Sequence, residues 1–313
     1  MLAAAGLLAL AGTASAAVVS PRTATPPPGT AVEIAELVHA APTITKVPAQ
    51  SYPSIGAEAS DSATQEFPAT AHGCLSVSGC VFGDTTAPQT IVLFGDSHAQ
   101  MWLSAVVPAA EALHYRVVLL YLGGCPAASV DVWNSLPLEG APVGYYAECN
   151  RYRSAAIRAI NHLHPVLVLL SNRTSMVQSG AGTYFTDAQW KNGVRATIDQ
   201  LRRPKTKVAV IGDIVYFNEP LPQCLAANPT AVQQCAAANP NAASHAHESA
   251  ERTEALSLGA AFINPLSWLC TSTCSPVIGS FLVYLNNAHL DATYVTFLST
   301  VMQAALQKVL APR

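Results

Sequence analysis

The sequence predicts an α/β protein, in the form of a three-layer α/β/α sandwich around a five-stranded parallel sheet. From residue 90 onward, short apolar runs rich in Val, Ile and Leu alternate with longer segments of helical periodicity. This alternation is typical of a parallel sheet covered on both faces. Half of the 313 residues are hydrophobic and 11% are charged, which predicts one large core rather than a disordered chain.

Five strands and five helices follow from these patterns in chain order. The strands are predicted at 90–94, 116–122, 166–171, 207–214 and 260–265. The helices are predicted at 99–114, 149–162, 187–201, 247–258 and 291–310. Pro108 should bend the first helix. Two long loops, 126–148 and 215–246, interrupt the alternation, and long loops often carry ligand sites.

The N-terminal quarter of the chain differs in composition from the rest. Residues 1–19 are apolar and end in small residues, which is typical of a signal peptide, but they lack basic residues and could instead be a remnant membrane helix. Residues 20–72 are rich in Pro, Ala, Thr and Ser and predict a linker, with a short helix over 30–41. Residues 73–313 are predicted to form the main domain.

The eight cysteines form an even set of four neighbouring couples, as expected for disulfides outside the cytoplasm. The predicted pairs are Cys74–Cys80, Cys125–Cys149, Cys224–Cys235 and Cys270–Cys274. A structural zinc site is the rival interpretation, but no C-x-x-C is present and His245 and His247 lie in a polar loop. We therefore expect neither a metal nor another cofactor.

The net charge of −3 provides no basic surface of the kind that holds a phosphate backbone. Nucleic-acid binding is therefore not expected.

The strongest local signal is Phe94-Gly95-Asp96-Ser97-His98, where a predicted strand ends and a helix begins. Ligands of open parallel sheets bind beyond the carboxyl ends of the strands, and a serine at the following helix N-terminus gains from oriented N–H groups. Ser97 is therefore a candidate nucleophile. The alternative is that Asp96 or Ser97 merely caps the helix.

A nucleophilic serine needs a base that is distant in sequence and close in space, and His289 is the best candidate. It follows the apolar run FLVY and precedes a helical pattern, so it should also lie on a loop at an element boundary. His98 is next to the serine but constrained by the turn. His162 and His164 precede a strand and should lie at the other end of the sheet.

Three blocks of the sequence resemble those of SGNH hydrolases: GDSHAQMW at 95–102, GGCP at 123–126 and HL at 289–290. Their spacing and the cysteines are most similar to the SGNH domain fused to the C-terminus of bacterial membrane acyltransferases (acyltransferase family 3). Those enzymes O-acetylate cell-surface glycans. The similarity covers most of residues 36–313 and implies a flavodoxin-like SGNH hydrolase fold.

The resemblance also implies roles for individual residues. Ser97 takes the place of the nucleophile, and its backbone N–H would contribute to the oxyanion hole. Gly124, with Gly123 as the fallback, would supply a second N–H, because a glycine lets the backbone approach the acyl oxygen closely. Asn172 lies where the third donor is expected, although fused domains of this type often lack that asparagine.

The sequence departs from the family pattern D-x-x-H, because Asn286 stands three residues before His289. An asparagine can hold the imidazole but does not stabilise the imidazolium as a carboxylate does. The first alternative is a slower Ser–His dyad that Asn286 orients. The second is support from another carboxylate, with Asp291 and Asp96 as candidates, and the third is a domain that binds without turnover.

The resemblance implies an extracytoplasmic O-acyltransferase, secreted or membrane-anchored, that acetylates a cell-surface glycan through an acyl-serine intermediate. A glycan or another hydroxyl-bearing molecule would be the acceptor, and a membrane acyltransferase domain would supply the acyl group. A secreted serine esterase is the first alternative, because water can replace the sugar hydroxyl. A glycan-binding accessory domain without catalysis is the second.

Overall fold

The computed structural model describes residues 26–135, 137, 141–175, 177–238 and 247–312. Residues 1–19, for which an export signal or membrane helix is predicted, lie outside the described residues, as does His245. Within the described part of the chain, no helix is both long and apolar enough to cross a membrane.

The main sheet has six strands, which we number in chain order. They are β1 Val81–Gly83, β2 Thr90–Gly95, β3 Arg116–Tyr121, β4 Leu167–Ser171, β5 Lys207–Ile211 and β6 Ala261–Ile263. Their order across the sheet is β1-β3-β2-β4-β5-β6, and the five strands β2 to β6 run parallel to one another. The predicted five-stranded parallel sheet is confirmed. The edge strand β1, antiparallel to β3, was not predicted because three residues are too few to show a period.

Ten α-helices lie among the described residues and surround the sheet. They are α1 Ala31–Ala40, α2 Ala63–Glu66, α3 Ser97–Met101, α4 Leu103–Glu111, α5 Ala147–Leu163, α6 Asp187–Leu201, α7 Leu221–Ala227, α8 Glu248–Ser257, α9 Ala292–Phe297 and α10 Ser299–Leu310. The predicted helix 99–114 is two helices that meet at the buried Trp102, and Pro108 lies inside the second. The predicted last helix likewise divides at Leu298.

Alternate residues of the central strand β2 face opposite layers of the sandwich. Ile91 and Leu93 belong to one hydrophobic core, whereas Val92 and Phe94 belong to the other. All four are fully buried, as a strand covered on both faces requires. A continuous apolar run therefore stabilises both layers and holds the end of β2 rigidly at the carboxyl edge of the sheet.

The segment predicted as a linker packs on the domain from residue 26 onward. Helix α1 begins with a capping box, in which the Thr30 side chain accepts from the Glu33 N–H and the Glu33 side chain accepts from the Thr30 N–H. Its residues Ile34 and Val38 are buried in the larger core. The short helix predicted over 30–41 is thus present and anchored.

The loops that leave β3 and β4 build a second, four-stranded antiparallel sheet, which we call the small sheet. Its strands, in spatial order, are Gly144–Tyr145, Trp133–Asn134, Gln178–Gly180 and Thr183–Tyr184. Two further pairs of short strands are Ala237–Ala238 with Thr273–Cys274, and Val277–Ile278 with Phe281–Leu282. The loop predicted over 126–148 is therefore partly regular structure.

All four disulfides have the predicted pairing: Cys74–Cys80, Cys125–Cys149, Cys224–Cys235 and Cys270–Cys274. His247, considered as a zinc ligand, instead bonds through Nδ1 to Asp187 at 2.7 Å and stacks on Trp190. Disulfides persist in oxidising compartments, so the four bridges indicate an extracytoplasmic domain.

Candidate active site

Ser97 is the first residue of α3, directly beyond the carboxyl end of β2. Gly95 ends the strand where a Cβ would lie 1.9 Å from the carbonyl oxygen of Ser171, so only glycine fits there. Asp96 caps α3, because its carboxylate accepts from the His98 N–H at 2.9 Å. The same carboxylate accepts from the Arg173 N–H at 2.9 Å, which ties the turn to the chain after β4. Asp96 thus holds the serine turn in place.

His289 faces Ser97, as the sequence predicts. The two side chains are 192 residues apart in the chain, and Nε2 of His289 lies 2.9 Å from Oγ of Ser97. His289 lies on the loop before α9, and the backbone N–H of Leu285 donates to its carbonyl oxygen. The pair therefore has the geometry in which an imidazole can take the proton of a serine hydroxyl.

Asn286 determines the tautomer of His289. Its Oδ1 accepts from the backbone N–H groups of Ala288 at 2.8 Å and His289 at 3.0 Å, so this atom must be the amide oxygen. The same oxygen lies 3.2 Å from Nδ1 of His289, which must therefore carry the hydrogen. The lone pair of Nε2 then points toward Ser97. The asparagine thus selects the tautomer that a general base requires.

The protonated form of His289 is disfavoured in the resting protein. Burial, followed by the proximity of His98 and Arg173, lowers the pKa of His289 to about 3, and Asp213 opposes this effect. The imidazole is therefore neutral at physiological pH, which leaves the Nε2 lone pair unprotonated. Nδ1 of His289 has no carboxylate beside it to stabilise an imidazolium, only the amide oxygen of Asn286.

Two backbone N–H groups are available near the serine. Those of Ser97 and Gly124 donate no hydrogen bond to another described residue. Gly124 has a positive φ of 64°, a conformation that favours glycine. The neighbouring Gly123 carbonyl accepts a hydrogen bond from the Tyr146 hydroxyl at 3.3 Å, which fixes this loop.

Asn172 is buried beside the site, and its amide already has two partners. Its Oδ1 accepts from the Ala127 N–H at 2.6 Å, and its Nδ2 donates to Oε1 of Glu251 at 2.7 Å. One Nδ2 hydrogen remains for the oxyanion position that the resemblance implies. Glu251 is fully buried, and burial raises its pKa to about 8.

A second histidine–carboxylate pair, which the sequence analysis missed, lies next to the serine. Nδ1 of His98 is 2.7 Å from Oδ1 of Asp213, and both residues are buried. The His98 ring contacts the His289 ring edge-to-face, with centroids 5.0 Å apart. Asp213 follows β5, so its position beyond a strand end was the signal available in the sequence.

The Asp213 carboxylate is surrounded by hydrogen-bond donors. Besides His98, it accepts from the Thr174 N–H at 2.7 Å, the Thr174 hydroxyl at 2.9 Å, the Ile214 N–H at 2.8 Å and the Tyr216 hydroxyl at 3.1 Å. Burial acts to raise its pKa, but the attraction of His98 and these hydrogen bonds outweigh burial and lower the pKa. The carboxylate is therefore stable in its ionised form.

Asp291 does not support His289. Both of its carboxyl oxygens are buried without a hydrogen-bond partner among the described residues. Burial, and then the nearby carboxylates of Asp61 and Glu58, raise the pKa of Asp291 well above its ordinary value. Its neighbours are therefore acidic groups from the N-terminal segment. The carboxylate whose charge acts on His289 is instead Asp213, which raises the pKa of that histidine.

Comparison with known protein families gives a match over most of the chain. Residues 63–303 match the family model of the SGNH domain (fused to AT3 domains). The chain belongs to this SGNH family. The resemblance inferred from the sequence is thereby confirmed, and so is the α/β/α fold class. No curated protein shows significant sequence similarity to this SGNH domain.

Several solved structures are similar to this chain at low sequence identity. The periplasmic domain of lipopolysaccharide acetyltransferase from Salmonella ser. Paratyphi A has a TM-score of 0.58 and 16% identity, covering 82% of this chain and 99% of that one. Est24, a carbohydrate acetylesterase from Sinorhizobium meliloti, has a TM-score of 0.45 and 15% identity over 70% and 99% of the two chains. A putative acylhydrolase from Bacteroides fragilis has a TM-score of 0.43 and 12% identity over 80% and 98%.

Proposed function

We propose that this SGNH domain transfers an acyl group, most simply acetyl, to a glycan hydroxyl through an acyl-Ser97 intermediate. The observation that carries the proposal is the 2.9 Å contact between Ser97 Oγ and His289 Nε2, in the tautomer that Asn286 selects. Membership of a family whose members are fused to AT3 domains supports acyl transfer. The acetyltransferase among the structural neighbours supports a glycan acceptor.

In the first half-reaction, Ser97 Oγ attacks the carbonyl carbon of the acyl donor while its proton passes to Nε2 of His289. The backbone N–H groups of Ser97 and Gly124, together with the remaining Nδ2 hydrogen of Asn172, would donate to the oxyanion. The bond between the carbonyl carbon and the donor oxygen then breaks. His289 returns the proton to that oxygen, and the acyl group stays on Ser97.

In the second half-reaction, a hydroxyl group of the acceptor loses its proton to Nε2 of His289 and attacks the acyl-serine. Ser97 Oγ leaves and regains a proton from the imidazolium. A sugar hydroxyl gives transfer and water gives hydrolysis, with the same residues in the same roles. The acceptor therefore decides between an O-acyltransferase and an esterase.

The donor is expected on the outer side of a membrane. The disulfides indicate an extracytoplasmic domain, and an AT3 membrane domain, in the same chain or a separate one, would deliver the acyl group. No residue in the proposed steps requires a metal or an organic cofactor.

Turnover of p-nitrophenyl acetate tests the proposal, with and without a soluble oligosaccharide acceptor. Ser97→Ala should abolish p-nitrophenol release, whereas Ser267→Ala, at an exposed serine elsewhere, should retain it. An acetylated sugar in the product supports transfer, and free acetate alone supports hydrolysis. Equal rates in wild type and Ser97→Ala would refute serine catalysis on this ester and favour a glycan-binding domain, the function that Asn286 would permit.

A further inference from the structure

Four side chains form a continuous row across the small sheet. In register, Tyr145 pairs with Trp133, Trp133 pairs with Gln178, and Gln178 pairs with Tyr184. Directly paired residues of antiparallel strands place their side chains on the same face of a sheet. We call these four residues the aromatic row.

The aromatic row lies on the outer face of the small sheet. Each member of the row has a neighbour in the chain, just outside the strand, that is buried in the core containing Val92 and Phe94: Val132, Tyr146, Val177 and Phe185. The outer tyrosines, in contrast, are 53% exposed at Tyr145 and 49% exposed at Tyr184. Trp133 and Gln178 between them are partly buried. One face therefore anchors the sheet, and the other presents three aromatic side chains and an amide to solvent.

The small sheet is joined to the candidate active site through its buried side. Tyr146, the neighbour of Tyr145, donates its hydroxyl hydrogen to the Gly123 carbonyl, next to the proposed oxyanion donor Gly124. The loops after β3 and β4 are also tied together beside the site, because the Ala127 N–H donates to Asn172. The aromatic row thus belongs to the loops that leave the carboxyl edge of the main sheet, where Ser97 lies.

The chemistry of the row matches a neutral carbohydrate. Its four members carry no charge, and Asp131 at one end accepts a hydrogen bond from the Tyr145 hydroxyl at 3.2 Å, which orients that ring. Four neighbouring strands span about 14 Å, roughly the length of three linked sugar rings. Aromatic side chains can stack on the apolar faces of such sugar rings, while hydroxyl and amide groups can form hydrogen bonds with the polar groups at the ring edges.

A protein partner fits this surface less well. A stable protein interface buries about 800 Å² on each side, whereas the aromatic row consists of four side chains on strands of two or three residues. A narrow, uncharged ligand is therefore the better match.

We propose that the aromatic row is a glycan-binding subsite, which holds a neutral oligosaccharide along the row. That this oligosaccharide is the acyl acceptor rests on the proposed function. Binding itself does not, because no member of the row takes part in the chemistry at Ser97.

Equilibrium binding tests the subsite in the full chain carrying Ser97→Ala, so that no turnover interferes. The probes are tetrasaccharides of β-1,4-linked glucose, β-1,4-linked N-acetylglucosamine and α-linked mannose, titrated while tryptophan fluorescence and heat are recorded. Trp133 is the expected reporter. Tyr184→Ala should weaken binding of the preferred probe about five- to twentyfold, because it removes one stacking surface.

Matched variants separate stacking from general damage. Tyr184→Phe keeps the ring and should bind nearly as well as the parent. Val32→Ala alters an exposed apolar residue on α1 and should leave binding unchanged. Absence of binding to all three probes, or equal affinity of Tyr184→Ala and Val32→Ala, would overturn the subsite. Loss of binding only in Tyr184→Ala, combined with no serine-dependent turnover, would keep the subsite and reject the proposed function.

Discussion

The side-chain oxygen of Asn286 lies 3.2 Å from Nδ1 of His289 and is held there by the backbone N–H groups of Ala288 and His289. An asparagine at this position could in principle present either end of its amide to the imidazole. Two backbone donors on one atom exclude the reversed orientation. Asn286 therefore contacts the imidazole at Nδ1, as the aspartate of the D-x-x-H pattern would, but it carries no negative charge.

Asn286→Asp should increase kcat/KM for ester turnover by at least about tenfold, because a carboxylate stabilises the imidazolium that forms at His289. In serine proteases the reverse change lowers kcat by about 10⁴. The negative charge should also raise the pKa of His289 and move the acid limb of the pH–rate profile upward. Asn287→Asp places the same charge one residue away and serves as the control. Equal acceleration by both variants would mean that the effect is not specific to Nδ1.

Asp213→Asn should lower both activity and stability. The variant removes the carboxylate that counters the low pKa of His289, so the acid limb should move to lower pH and the plateau should fall. It also leaves several buried donors facing an amide, which should cost about 3 kcal/mol in the free energy of unfolding. A pH–rate profile and urea titrations measure the two effects. An unchanged profile with reduced stability would limit Asp213 to a structural role.

The wild-type contribution of Asp213 has a defined pH dependence. Its pKa is lower in the folded state than in the unfolded state, so its stabilisation is complete above the unfolded value of about 4. This stabilisation should be lost as the pH falls through the folded pKa. The difference in unfolding free energy between wild type and Asp213→Asn should therefore shrink below about pH 4.

Glu251→Gln should remove a pH dependence of stability near neutrality. Burial raises the pKa of Glu251 to about 8, so the folded protein holds a proton that the unfolded chain releases above about pH 4.5. Stability of the wild type should consequently fall as the pH rises from about 5 to 8. Glutamine keeps an acceptor for Asn172 and does not titrate. Parallel stability curves for the two proteins over this range would contradict the assigned shift.

Replacing both Cys125 and Cys149 by Ser should loosen the loop that carries Gly124. The bridge spans 24 residues, so its loss should cost about 3 kcal/mol of stability, and kcat should fall as the oxyanion position becomes less ordered. The bridge Cys270–Cys274 spans only four residues and provides the control. Its removal should have a smaller effect on thermal stability and none on kcat. Equal losses of kcat would remove the link between this disulfide and the oxyanion loop.

Much of the fold was predictable because its signals are local. Buried strands such as β2 are continuous apolar runs, and helices such as α6 show a 3.6-residue period after a capping box. The turn that carries Ser97 was likewise predictable, because the apolar pattern of a strand ends there and the pattern of a helix begins. Each cysteine forms a disulfide with its neighbour in the chain, as their proximity in the sequence predicts. These features depend on residues close together in sequence.

The candidate site was predictable only in part. Ser97 and His289 are predicted from their positions at element boundaries and from the resemblance to SGNH hydrolases, and the two side chains do lie in contact. Asp291 is a candidate for the supporting carboxylate in the sequence, but its side chain lies with Glu58 and Asp61, because α9 begins by packing on the N-terminal segment. The segment that packs there had been interpreted as a linker, since its composition resembles one.

By itself, the sequence determined the α/β class, the five parallel strands, the long helices, the serine turn and the histidine that faces it. The tertiary structure decided which carboxylate acts on the pKa of His289. His98 and Asp213 are 115 residues apart, and they meet because β2 and β5 both end at the same edge of the sheet. The aromatic row arises in the same way, from loops that follow different strands. Periodicity reports which face a residue takes within its own element, whereas strand order and register, set by packing of the whole core, decide which side chains meet.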